Sequence, residues 1–110
     1  MDIRTTVEKR SSAIKITVEE DGKTVGRVYL YFIFNDLHEK PYGLMEDLFV
    51  DEARRGQGIG TKLITTLIEE AKRLGCYKLV GQSRHSRPEV HALYERYGFQ
   101  NHGLNFRMDF

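Results

Sequence analysis

Three glycines at alternate positions, Gly56, Gly58 and Gly60, stand between an apolar run ending at Val50 and a helix-patterned stretch ending at Leu74. A turn from a buried strand into a helix usually needs one glycine; three so spaced let a bulky anion approach the backbone closely. The helix opens on Gly58, Ile59, Gly60 and Thr61, which supply no strong side-chain cap, so its first N–H groups must find partners elsewhere. The helix dipole favours negative charge at that end. The predicted ligand is a pyrophosphate held at a helix N-terminus, with a plain glycine-rich turn as the competing explanation.

Spacing narrows the choice of pyrophosphate. A nucleoside-triphosphate loop needs G-x-x-x-x-G-K-[ST], which Arg55-Gly56-Gln57-Gly58-Ile59-Gly60 does not supply. A dinucleotide fingerprint begun at Gly56 would need its last glycine where Thr61 stands; begun at Gly58, where Leu63 stands. A chain of 110 residues is also short for a doubly wound dinucleotide domain, and predicts one domain spanning 1–110. A net charge of +1 argues against nucleic acid as the main partner, although Arg54, Arg55, Arg84 and Arg87 could form a local basic patch. Cys76 is the sole cysteine, which excludes an internal disulfide and suggests a reducing compartment. Met1-Asp2-Ile3-Arg4 opens no signal-peptide pattern and no apolar run is long enough to span a bilayer, so no membrane association is expected and the cytoplasm is the expected location.

Periodicity orders the rest. Ile14, Ile16 and Val18 alternate within Ser12–Glu20, which predicts a half-exposed strand. Asp21-Gly22 predicts a hairpin turn, since both central positions of a type I′ turn need positive φ. Thr24 to Phe34 is apolar on both faces and reads as a strand central in the sheet. Asn35 to Tyr42 is a polar loop, and Leu44 to Val50 a third strand antiparallel to the second. Ile59, Leu63, Leu67 and Ala71, widened by Ile64 and Ile68, make one helical stripe closed by Gly75. Cys76 to Gln82 reads as a strand, Ser83 to Arg87 as a loop and Pro88 to Tyr97 as a helix closed by Gly98. The tail, Phe99 to Phe110, alternates weakly enough to suggest a last strand or hairpin. The fold class is α+β: a mixed sheet with a meander first and a right-handed crossover second.

Arg55-Gly56-Gln57-Gly58-Ile59-Gly60 matches the [RQ]-x-x-G-x-[GA] signature of the GNAT superfamily, the acyl-CoA-dependent N-acetyltransferases, and Leu93-Tyr94-Glu95-Arg96-Tyr97-Gly98-Phe99 resembles that family's L-Y-E-x-x-G-F run. The resemblance covers about Gly26 to Phe99, and Glu46-Asp47-Leu48-Phe49-Val50 is similar to the polyamine and diamine members. It implies acetyl-CoA as co-substrate, with no metal. Backbone groups of Leu48, Phe49 and Val50 would pair with the pantetheine arm, and Arg55, Gly56, Gln57, Gly58, Ile59, Gly60 and Thr61 would hold the pyrophosphate. A bulge near Phe49 would splay this strand from the next.

Acetyl transfer to an amine needs a base for the ammonium and an acid for the departing thiolate. By the resemblance, Glu46 is the candidate base and Tyr94 the acid. A salt-bridged or solvated strand-edge acid stands against the first, a packing aromatic against the second. Asp47 would face away from Glu46 unless a bulge intervenes. Val50 N–H could polarise the thioester carbonyl. His38, His85, His91 and His102 have no metal-ligand spacing; His85 and His91 read as surface groups or proton shuttles. Arg84 and Arg87 could meet the cofactor's 3′-phosphate.

Two departures bear on function. Arg87 stands where many members carry Asn. The helix pair usual between the family's first two strands has no room here, because strands join at Asp21-Gly22. The acceptor side is then open or completed by a second subunit, a homodimer, with lining from the N-terminal part and the Asn35–Tyr42 loop. The acceptor is a small-molecule or peptide amine; the alternative function is a non-catalytic acyl-CoA-binding or regulatory module.

Overall fold

The computed structural model describes residues 1–82 and 88–110. Strands β1 (Ser12–Glu20), β2 (Lys23–Ile33), β3 (Tyr42–Val50) and β4 (Leu79–Gly81) form one sheet in the order β1-β2-β3-β4. A 3₁₀ turn, Glu52–Arg54, and helix α1 (Ile59–Arg73) connect β3 to β4, and helix α2 (Pro88–Arg96) follows. The chain divides into two compact units, Met1–Val80 and Gly81–Phe110. The mixed sheet with its helices is the α+β arrangement expected, without a helix pair between β1 and β2.

The hairpin forms as its turn chemistry dictates. Asp21 and Gly22 both take positive φ, 51° and 75°, and join β1 antiparallel to β2. β2 lies between β1 and β3, antiparallel to both, as its two apolar faces require. Tyr77 N–H donates to Pro41 C=O, and Gly43 N–H to Lys78 C=O, so the two segments advance in the same direction. The last strand is three residues long, where Cys76 to Gln82 was expected; Cys76 N–H is spent on Ala71 C=O at the end of α1 and cannot join the ladder. Residues 99–110 carry no strand: the expected final hairpin is absent, and Leu104, Phe106, Met108 and Phe110 are exposed.

Alternation along β2 sends Val28, Leu30 and Phe32 to one face, where they are buried with Met45 of β3. Against them α1 lays Ile59, Leu63, Ile64, Leu67 and Ala71, all buried, which is the stripe the sequence predicts. Gly75, at φ 78°, follows the helix, and Lys72 and Arg73 complement the dipole in its last turn. Gly26 sets the closest approach: a Cβ there would lie 2.9 Å from Ile59 Cγ2 and 3.1 Å from Leu63 Cδ1.

Two substitutions measure this packing. Gly26→Val forces α1 off the sheet and is expected to destabilise the fold by about 1–3 kcal/mol. Leu67→Ala opens a cavity and should cost about 2–5 kcal/mol. Urea denaturation followed by far-UV circular dichroism reads both, and equal midpoints for Gly26→Val and the parent chain would contradict the close approach.

Candidate functional site

The pairing of β2 with β3 is interrupted near Phe49, where a bulge is expected. Arg27 pairs with Phe49 and Tyr29 with Glu46, so Asp47 and Leu48 together face the single residue Val28. Asp47 takes the left-handed conformation, φ 59°. This is a β-bulge just before Phe49, and it re-aims the strand end. It also overturns the simple alternation that would send Asp47 to the opposite face from Glu46. Arg27 Nε and Nη2 each donate to an Asp47 carboxylate oxygen at 3.3 Å, which places Asp47 on the face shared by Arg27, Tyr29 and Glu46. Arg27 also covers the ring of Phe49 at 5.0 Å. The arginine carried no motif; its position among outward residues of a strand that is otherwise apolar was the one available signal.

The two acids are thereby distinguished. Asp47 is committed to Arg27. Glu46 is half-buried and has no hydrogen-bond or ion-pair partner among the described residues.

Past the bulge, Asp51 N–H donates to Val25 C=O, so the ladder's alternation turns Val50 N–H and C=O away from β2. The Leu48–Val50 end runs beyond a neighbour as short as β4. Arg55 Nε donates to Val50 C=O at 3.1 Å, tying the glycine loop to the strand end, and its guanidinium lies 6.0 Å from the Phe49 ring. Arg54 pairs with Glu20 and anchors the loop to β1. Leu48 and Val50 are half-buried, and Phe49 is 41% exposed.

Gly56 and Gly58 both adopt positive φ, 80° and 84°, and a Cβ at either would meet nothing within 4 Å. Gly58 caps α1 in the left-handed conformation without a side-chain bond, and its C=O accepts Lys62 N–H. The N–H groups of Gly56, Gln57, Gly58, Ile59, Gly60 and Thr61 find no acceptor among the described residues. No acidic residue occupies the first turn of α1. Amide donors without acceptors beside left-handed glycines, at the positive end of a helix, are the arrangement to which anions are suited. Ile59 contributes only its backbone, since its side chain is buried against Gly26. Gly60 differs from its neighbours: its φ is not positive, and a Cβ there would touch Val50 Cγ2 at an ordinary 3.8 Å.

The Asn35–Tyr42 loop does not reach this end of β3. His38 packs on Tyr77 at 4.0 Å, at the opposite end of the strand from Val50. Eight residue steps of about 3.3 Å put it roughly 26 Å away.

Tyr94 belongs to the second unit. It is half-buried on α2, its hydroxyl donates to Gln82 C=O at 3.2 Å, and its ring packs on Phe99 at 5.4 Å. Gly98, at φ 95°, ends the helix and lets Phe99 N–H return to Tyr94 C=O. Arg84, His85 and Arg87 lie outside the described residues. Among the described residues no group of His, Cys, Asp and Glu is placed to hold a metal, and no helix is long and apolar enough to cross a membrane.

Residues 3–99 match the acetyltransferase (GNAT) family. The chain is 38% identical over 68 residues to "Probable glucosamine 6-phosphate N-acetyltransferase 2" of Oryza sativa subsp. japonica, covering 62% of this chain and 39% of that one. It is 30% identical over 98 residues to "Uncharacterized N-acetyltransferase YhfO" of Bacillus subtilis, covering 89% and 65%. The crystal structure of a Trypanosoma brucei acetyltransferase superposes with a TM-score of 0.79 at 29% identity, over 89% of this chain and 69% of that one. The chain thus spans less than two thirds of the length of these two sequence relatives.

The site yields a paired expectation. Gly58→Ala must hold a side chain at φ 84°, costing about 1–2 kcal/mol, and is expected to weaken coenzyme A binding about tenfold. Gly60→Ala should retain both stability and affinity. Calorimetric titration with coenzyme A, beside thermal unfolding, checks the pair; equal losses from the two variants would contradict that arrangement.

Proposed function

The chain belongs to the acetyltransferase (GNAT) family, and on that premise we propose that it moves an acetyl group from acetyl-CoA to a primary amine by direct attack. The observation that carries this is the row of unsatisfied amide donors from Gly56 to Thr61, beside a strand end whose Val50 N–H turns away from β2. The loop would hold the coenzyme pyrophosphate. The Leu48–Val50 backbone would take the pantetheine arm in the manner of an added strand, and Val50 N–H would stabilise the charge developing on the thioester oxygen.

An alkylammonium with a pKa of about 10 is neutral in about one part in a thousand at pH 7, a cost of about 4 kcal/mol. Glu46 is the base, directly or through a water. Its lack of a partner favours it over Asp47, whose charge is already spent on Arg27. The neutral amine attacks the thioester carbonyl, the new C–N bond forms and the C–S bond breaks. Tyr94 supplies the proton to the departing thiolate; its hydroxyl donates a hydrogen bond to Gln82 and so carries one. The glucosamine 6-phosphate acetyltransferase among the relatives supports a small polar amine as acceptor.

The test is thiol release from acetyl-CoA across amino sugars, polyamines and peptides. Saturable, amine-dependent release is expected; binding of acetyl-CoA with no release at any amine would favour a non-catalytic acyl-CoA-binding module. Glu46→Gln should lower kcat roughly 100-fold near pH 7, with the deficit shrinking as pH rises toward the acceptor's own pKa. Tyr94→Phe should slow turnover while leaving coenzyme A affinity nearly unaltered. Full activity of Tyr94→Phe across the pH range would remove it as the acid.

A further inference from the structure

The sheet face turned away from α1 carries an ordered row across three strands. Lys15 of β1 is the direct partner of Tyr29 of β2, and Tyr29 is the direct partner of Glu46 of β3. Facing partners in antiparallel strands share a face, so cation, ring and carboxylate stand side by side. Lys15 Nζ lies 5.7 Å from the centroid of the Tyr29 ring, and Tyr31, 40% exposed, stacks beside Tyr29 at 6.1 Å and widens the platform. Neither Lys15 nor Glu46 has an ion-pair partner among the described residues. On the same face Arg27 and Asp47 neutralise each other, and the Lys78 ammonium lies 4.9 Å from the ring of Tyr42, farther along β3 from Glu46. The row is therefore dipolar: a carboxylate on β3 and an ammonium on β1, their strands two spacings or about 10 Å apart, with aromatic surface between.

We propose that Lys15 is the acceptor-specificity residue, and that the acceptor is a small amine bearing a phosphate or phosphonate. This rests on the acetyltransferase reading above. The amine sits at Glu46, the midsection lies on Tyr29 and Tyr31, and the anionic group meets the Lys15 ammonium. Opposite charges at the two ends fix the direction in which the molecule lies, so the nitrogen and not the anion faces the strand end at Leu48–Val50. A plain diamine would set its second ammonium against Lys15 and is disfavoured by like-charge repulsion.

Matched acceptors decide the matter: ethanolamine with O-phosphoethanolamine, and glucosamine with glucosamine 6-phosphate. The full chain is expected to show a KM at least tenfold lower for the phosphorylated member of each pair, and added salt should narrow that gap. Lys15→Ala should raise KM for the phosphorylated member about tenfold, far more than for its partner and far more than it lowers kcat; Lys15→Arg should restore most of the preference. Equal effects on both members, or no preference in the parent chain, would overturn the assignment. Direct titration of O-phosphoethanolamine, followed by Tyr29 ring resonances, needs no turnover. A response lost in Lys15→Ala supports the anion subsite even if every amine fails to release thiol, in which case the acetyltransferase reading alone fails. No response in the parent chain overturns the subsite.

Discussion

The glycine loop and its row of amide donors depend on where one side chain is buried. Ile59 is the first residue of α1, and its position is dictated by the space that Gly26 leaves on β2. Burial of an isoleucine side chain is worth about 1.5–3 kcal/mol, enough to hold the first turn in place although its amides lack internal acceptors. Apolar packing on one side of the helix start fixes unsatisfied donors on the other. A hydrophilic residue at 59 would relax the constraint, since the loop could then rotate its N–H groups inward or toward water.

Local chemistry was readable in the chain before any coordinates. Asp21-Gly22 specifies its own turn, and α1 shows its buried stripe because helical periodicity is a property of a single segment. The glycine triplet predicted backbone donors correctly, although the sequence does not separate Gly60, which makes an ordinary contact, from Gly56 and Gly58, which need positive φ. Features that depend on a partner strand were less legible. The bulge at Asp47 could be expected only by family likeness, since its hold on Arg27 arises from pairing across β2 and β3. Cys76 falls outside β4 because its N–H is taken up by the end of α1. The weak alternation of Phe99–Phe110 contains none of the β-branched residues that make a strand pattern persuasive, and no strand formed.

Adjacent carboxylates in sequence acquired different fates through backbone geometry alone. One extra residue in β3 brings Asp47 to the face of Glu46 and within reach of Arg27, with which it pairs while Glu46 does not. The same extra residue turns the strand end so that Phe49 lies beneath two guanidinium groups and Arg55 can hold Val50. The bulge therefore sorts the acids and aligns the strand end in one step, without any additional secondary-structure element.

The strand order β1-β2-β3-β4 also shapes how the fold is assembled. The first three strands join neighbours in the chain, through a two-residue turn and one loop, so their pairing closes short segments at small entropic cost. Joining Gly43 to Lys78 closes the long segment that contains the whole of α1. Closing so long a segment carries the larger entropic cost and slows folding. The glycine loop lies inside that long segment, strung between meander and helix, so the closure that completes the sheet is also the one that spans it.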